Sequence, residues 1–208
     1  MKFILPVFAT LSVLALSASA QTYQHRLKVK DAKEREAVSV KIYADKIKVE
    51  YLDGAAQKTL EAKLEKGASK RKYRTPDGKT ISEVKLDGDD FKIRDASAKL
   101  QWKIKSYPDG KKLKISDNEE NKNPFELKNS DDGKQIKVLD RGTEVAAAKF
   151  DPDTGKLKLK DAKTNETKFE ANAAAPSRAV AVLALEKVPL DQRVILAAEL
   201  VYRERQKK

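Results

Sequence analysis

The sequence predicts a mainly β protein: antiparallel β-hairpin repeats, about 12–14 strands at a ~22-residue period, forming a barrel or strongly curved sheet around or against a C-terminal apolar α-helical segment. Three observations predict it. The pattern apolar-Lys-apolar-x-Asp recurs along the chain, Gly- and Asp-rich turns separate its copies, and the composition changes to an apolar, helix-forming stretch after Glu170.

The first twenty residues stand apart. Lys2 is followed by a short apolar run, Val7 to Leu16, and then by Ser17-Ala18-Ser19-Ala20. An early cation, a short apolar core and small residues at −3 and −1 make a secretory signal peptide cleaved after Ala20. The organisation expected is residues 1–20 as signal peptide and 21–208 as one domain: hairpins over 21–170, a linker over 171–176 and helices over 177–205. No cysteine follows the apolar run, which excludes a lipoprotein anchor, and none occurs anywhere to form a disulfide. The location expected is secreted or periplasmic. The longest later apolar run, Ala179 to Leu185, is far short of the ~20 residues of a spanning helix, so no transmembrane segment is expected in the mature chain.

The repeat reads Leu27-Lys28-Val29-Lys30-Asp31, Phe91-Lys92-Ile93-Arg94-Asp95, Leu113-Lys114-Ile115-Ser116-Asp117, Ile136-Lys137-Val138-Leu139-Asp140 and Leu157-Lys158-Leu159-Lys160-Asp161. A variant stands at Ile47-Lys48-Val49-Glu50-Tyr51, and the gap from 47 to 91 leaves room for a degenerate unit around Lys72-Tyr73-Arg74. Apolar and charged residues alternate with period two, as in a strand with one buried face. In the best-formed unit Asp95-Ala96-Ser97-Ala98 is a turn, Leu100, Trp102 and Ile104 continue the apolar face, and Tyr107-Pro108-Asp109-Gly110 closes the hairpin. Gly supplies positive φ and Asp bonds its own backbone, so Pro76-Asp77-Gly78, Asp131-Asp132-Gly133 and Asp151-Pro152-Asp153-Thr154-Gly155 are read as turns too.

Ser177 is the expected N-cap of a helix over Arg178 to Val188, and Pro189 opens a second with Asp191 near its positive end. Leu190, Val194, Ala197 and Val201 form an apolar face that Ile195, Leu196, Ala198 and Leu200 widen. A helix this apolar requires burial on most sides, and a sheet of one-faced hairpins requires a cover. Each is the natural partner of the other.

The formal charge is +12, or +11 once Lys2 leaves with the signal peptide. Such a field favours anionic partners outside the cell: lipid headgroups, lipopolysaccharide, cell-wall polymer, other polysaccharide or extracellular DNA, with intracellular nucleic acid excluded by export. Outward lysines also keep sheet edges soluble. The candidate anion-binding residues are Lys92, Arg94, Lys103, Lys105, Lys114, Lys137, Lys158 and Lys160. Oligomeric state is not encoded in any motif.

Hairpins such as 91–105 followed by a C-terminal apolar helix resemble the tubby-like barrel superfamily, which includes tubby domains, phospholipid scramblases and LURP-one-related proteins. The resemblance spans roughly residues 22 to 203. It implies a closed antiparallel barrel around a central C-terminal helix, and a role at membranes. It rests on pattern, so no site residue is transferred, and the signal peptide departs from these mostly intracellular families. Lysine-dense sheet proteins of bacterial surfaces are similar in the same limited way.

Catalytic patterns are sparse. His25 is the one histidine, there is no thiol, and G-x-S-x-G, Gly-rich phosphate loops and H-E-x-x-H do not occur. Asp89-Asp90, Glu119-Glu120 and Asp131-Asp132 could pair for glycoside hydrolysis but fall in expected turns. Asp151, Asp153 and Gly155 are similar to a calcium loop, but Lys156 stands where a glycine is required. Trp102 is in phase with Leu100 and Ile104 and is read as core. Asn165-Glu166-Thr167 is a glycosylation sequon, of consequence only in a eukaryotic host. No cofactor and no catalytic site is expected. The function expected is a non-catalytic protein binding anionic surfaces or polymers through a lysine-rich β surface; the alternatives are a structural or partner-binding envelope protein and, last, a carboxylate-based hydrolase.

Overall fold

In a computed structural model, which describes residues 22–206, Asp31, Asp95 and Asp161 of the repeat close their own hairpins, while Asp117 accepts from the Asn118 side chain and Asp140 pairs with Lys187. Asp31 Oδ1 accepts the amides of Lys33 and Arg35, Asp95 Oδ1 those of Ser97 and Lys99, and Asp161 Oδ1 those of Lys163 and Thr164, all at 2.9–3.0 Å. Each turn is thereby held by the residue that ends the strand, and the register of the next strand follows. The expected signal peptide, residues 1–20, lies outside the described residues.

Fourteen strands are described. They are β1 (His25–Asp31), β2 (Glu36–Ile42), β3 (Lys46–Asp53), β4 (Ala56–Lys63), β5 (Lys70–Arg74), β6 (Thr80–Asp87) and β7 (Asp90–Asp95). The second half comprises β8 (Leu100–Ser106), β9 (Lys112–Ser116), β10 (Phe125–Asn129), β11 (Gln135–Asp140), β12 (Thr143–Asp151), β13 (Lys156–Asp161) and β14 (Thr167–Asn172). Every strand pairs antiparallel with its sequence neighbours, and β1 pairs with β14 through Val29↔Ala171, Lys30↔Glu170 and Asp31↔Phe169. The sheet is thus a closed barrel, with no edge left to recruit another strand. β14 runs to Asn172, two residues into the expected linker.

Period-two alternation decides what fills it. Val29, Val40, Val49, Ile93, Ile104, Ile115, Val138 and Leu159 are buried completely, while the lysines between such residues face outward. A barrel of this many strands is too wide for its own side chains to fill. The C-terminal segment fills it as a helical hairpin. Helix α1 (Arg178–Ala181) enters beside the β8–β9 turn and continues as a 3-10 turn over Val182–Ala184. The chain reverses at Glu186 to Pro189, and α2 (Leu190–Gln206) runs back through the lumen. Ala179 to Leu185 and Val194 to Val201 are buried throughout.

The helix expected over Arg178 to Val188 is therefore only one α-helical turn before the 3-10 segment. The reversal over Glu186 to Pro189 leaves no length for more. Ser177 stands at the N-cap but makes no side-chain capping bond there; its hydroxyl donates to Glu204 Oε2 (3.2 Å), and Glu204 Oε1 accepts the Arg178 amide (3.2 Å). The cap of α1 is supplied by the last turn of α2, which binds the two arms of the hairpin together.

Candidate functional site

The repeat's lysines stand on the outer wall, and their neighbours differ from one side of the barrel to the other. On β1–β4 they meet carboxylates. Arg26 and Lys28 share Glu36 (2.6 and 2.7 Å), Lys41 and Lys48 share Glu50 (2.6 and 2.9 Å), and Lys46 reaches Glu61 (3.2 Å). These contacts hold the Glu36 carboxyl down to about 2 despite the opposing effect of burial.

Lysines also face each other across strand pairs, singly in places such as Lys41 opposite Lys48 on β2–β3 and Lys149 opposite Lys158 on β12–β13, and in a longer run on β6–β9, where Lys114 also lies 3.7 Å from Glu126. Lys85 stands directly opposite Lys92, Lys92 opposite Lys103, and Lys105 opposite Lys114. Like charges directly across a strand pair oppose sheet formation. Lys105, Lys112 and Lys114 also crowd the Tyr107 ring, their ammoniums 4.5–5.9 Å from its centroid. Of the eight candidate residues, Lys92, Arg94, Lys103, Lys105 and Lys114 are thus brought together on three neighbouring strands. Lys137 lies two strands on, on β11, 3.4 Å from Glu144. Lys158 and Lys160 lie on β13, away from the cluster, with Lys158 3.8 Å from Glu170.

One carboxylate does reach β7 and β8, and it comes from a loop. The β9–β10 connection curls back over the outside of the wall and places Glu119 on the cations. Lys92 Nζ donates to both its oxygens (2.9 and 2.7 Å), Lys103 Nζ lies 3.7 Å and Arg94 Nη2 3.9 Å away, and Lys103 also donates to its main-chain carbonyl (2.6 Å). The Lys92 hydrogen bond lowers the Glu119 pKa, against slight desolvation. Asn118 braces the loop by exchanging side-chain hydrogen bonds with the backbone of Lys122 (2.9 and 2.8 Å).

The barrel interior holds a second polar cluster, which sequence reasoning missed. Glu199 of α2 is fully buried. Arg71 donates to its Oε2 at 2.5 Å, the Tyr73 hydroxyl to its Oε1 at 2.9 Å, and Arg203 Nε lies 3.9 Å away. Burial pushes the Glu199 carboxyl upward while the two guanidiniums pull it down, and burial pushes the Tyr73 phenol well above its ordinary value. Arg71 stacks over Tyr202 (4.4 Å) and Arg203 over Phe91 (4.5 Å), and Arg203 also donates to the Gly88 carbonyl (2.9 Å). Every one of these bonds joins helix to wall or balances a charge, so the cluster locks α2 in place. Arg71 and Tyr73 lie on β5, the degenerate unit of the repeat, and Glu199 stands in an otherwise apolar helix face, a pattern that names no partner until the helix is placed.

Of the carboxylates weighed for hydrolysis or calcium, Asp132 and Asp151 serve their turns, Asp90 ties β7 to the end of β8, and Glu119 sits on Lys92. Asp90 Oδ1 accepts the Ser106 amide (2.7 Å), Asp132 Oδ1 the Lys134 amide (3.0 Å), and Asp151 Oδ1 the Asp153 amide (3.0 Å). Among the described residues no group of three or more His, Cys, Asp or Glu is placed to hold a metal ion. His25 opens β1 and is exposed. Trp102 faces inward but is only half-buried: its indole donates to Gln192 Oε1 (2.5 Å) and its ring tilts against Phe125 (6.1 Å between centroids). Among the described residues no helix is long and apolar enough to cross a membrane.

No family model matches the chain, and no curated protein matches it. Among solved structures it is similar to Hsv2 from Kluyvelomyces marxianus, at 9% identity and a TM-score of 0.32, over 62% of this chain and 70% of that one.

Proposed function

We propose that this chain is an exported, non-catalytic protein that binds anionic polymers or surfaces through the outer wall of β6–β9. The observation that carries the reading is the row of directly opposed like charges, Lys85, Lys92 and Lys103, with Lys105 and Lys114 beside it. Solubility needs outward lysines but not lysines facing lysines, an arrangement that works against sheet stability. On β2–β3 the opposed pair Lys41 and Lys48 shares Glu50, a carboxylate of β3 itself, whereas on β7 and β8 the carboxylate that meets Lys92 and Lys103 is Glu119 of the β9–β10 loop. The proposal of export rests on the tripartite N-terminus, Met1 to Ala20. The non-catalytic reading is supported by the engagement of Asp90 with the Ser106 amide, of Asp132 with its own turn, of Glu119 with Lys92 and of Glu199 with Arg71.

The test is retention on anionic polysaccharide, lipopolysaccharide and anionic lipid supports at low salt and at ~0.5 M, where the Debye length shrinks to a few ångströms. Retention is expected at low salt and loss at high salt. Replacing Lys92, Lys103 and Lys105 with Gln should abolish it, while replacing Lys41, Lys46 and Lys48 with Gln, the same change in net charge, should leave most of it. Equal loss in both variants would mean that net charge alone binds, and the assignment to β6–β9 would fall. Intact mass of the protein from its host should show Gln21 as the first residue; a retained Met1 would count against export.

A further inference from the structure

The β9–β10 loop lays a carboxylate on the outer wall, where an external carboxylate would have to bind. We propose that the outer face of β7–β8 is a carboxylate-binding site for a polyuronate, a polysaccharide with one carboxylate per sugar, and that Glu119 occupies it as an internal competitor; this rests on the anion-binding reading above.

The site's preference is shown by its present occupant. Lys92 grips both oxygens of the Glu119 carboxylate, and Arg94 and Lys103 approach it from either side at 3.9 and 3.7 Å. Three cations on one carboxylate leave positive charge over, and Lys85 stands directly across from Lys92 to extend it. Neighbouring strands lie about 4.8 Å apart, so Lys85, Lys92 and Lys103, in register on β6, β7 and β8, root a row of cations that crosses the wall one per strand. A linear polymer with regularly spaced carboxylates matches a row on a curved wall. A flat membrane meets a curved wall along a narrow contact, and the protruding loop would hold it off.

Exchange requires little rearrangement. Glu119 remains close to half exposed, and the loop's own shape is kept by Asn118, Lys122 and the Ser116 hydroxyl, which donates to the Lys122 carbonyl at 3.2 Å. The Glu119 side chain can therefore leave Lys92 without unfolding the loop. Each exposed ion pair is weak, so an external carboxylate held at several points along the row can displace it.

The experiment is calorimetric titration of the full chain with oligogalacturonate at low ionic strength, for the wild type, Glu119→Gln and Lys92→Gln. Vesicles of phosphatidylglycerol and dextran sulfate serve as comparison probes. Glu119→Gln removes the competitor without changing shape and should tighten oligogalacturonate binding about three- to tenfold. Lys92→Gln should weaken it by a similar factor. Unchanged or weaker binding by Glu119→Gln overturns the proposal, as does tighter binding of vesicles or dextran sulfate than of oligogalacturonate. If the wild type is retained on anionic supports in a salt-sensitive way while Glu119→Gln has no effect, only this inference falls. If neither protein binds any of the probes, the broader reading falls with it.

Discussion

At the scale of single residues, Glu199 carries the greatest consequence. A carboxylate without solvent access is tolerated because Arg71, Arg203 and the Tyr73 hydroxyl surround it, and those guanidiniums in turn depend on it. Removing one member of a buried ionic group leaves the rest unpaired in low dielectric, at a cost of about 3–5 kcal/mol. Glu199→Ala should therefore lower stability by about that much in urea unfolding, with a matching fall in thermal midpoint. Tyr73→Phe removes one hydrogen bond to a charged group and should cost about 1.5–3 kcal/mol. A Glu199→Ala variant as stable as the wild type would show that the cluster does not hold α2. The individual members of this cluster were not legible in the sequence, because charge on an inward strand position is indistinguishable from a break in the repeat until the helix opposite is placed. The aspartates were legible, since Asp31, Asp95 and Asp161 act on their own turns and need no distant partner.

At the scale of elements, the repeat explains why most strands could be read directly and why β5 could not. A strand that alternates Leu-Lys-Val-Lys carries its orientation in itself: one face must be wet, the other buried, and the Asp that follows ends it. β5 reads Lys70-Arg71-Lys72-Tyr73-Arg74, which has no such contrast, and its pairing with β4 is registered only at Glu61↔Arg74. The place where local pattern is weakest is also where the wall depends on the helix, through Arg71 and Tyr73. The hairpin of α1 and α2 was legible as a buried segment from its composition, but its reversal and the brevity of α1 depend on the width of the lumen. Leu196 lies fully buried within that lumen. Leu196→Asp should cost several kcal/mol, of the order of the total stability of a domain. Truncation before Ser177 should give a chain that aggregates or fails to show a cooperative thermal transition; a truncated barrel melting as the full chain does would contradict the central role of the hairpin.

At the scale of the whole molecule, charge is arranged so that acid acts on the barrel from many points at once. The chain carries 44 Lys and Arg against 32 Asp and Glu, and its carboxylates are spread among the lysines of the wall. Glu36 is held down to about 2, and Glu50, Glu126 and Glu170 are likewise lowered, burial opposing the shift and lysine contacts producing it in the first two, the Lys156 hydrogen bond leading in the third. A carboxylate whose folded pKa lies below its unfolded value stabilises the fold above about pH 4.3 and loses that contribution as pH falls toward the folded value. Protonation also removes the anions that separate the lysines, so repulsion across the wall rises over the same interval. Burial shifts Glu199 the opposite way, but that is one group against many. Stability should therefore be level above about pH 5 and fall steeply from there to about pH 2. Glu36 should account for about 1–2 kcal/mol of the fall after screening by water, so Glu36→Gln should be less stable at pH 7 and show a shallower acid limb. The measurement is the urea midpoint of both proteins at intervals from pH 7 to pH 2. Equal slopes for the two would show that Glu36 does not hold Arg26 and Lys28 in solution, and a flat wild-type profile would mean that the lysine-paired carboxylates of the wall contribute nothing to its stability.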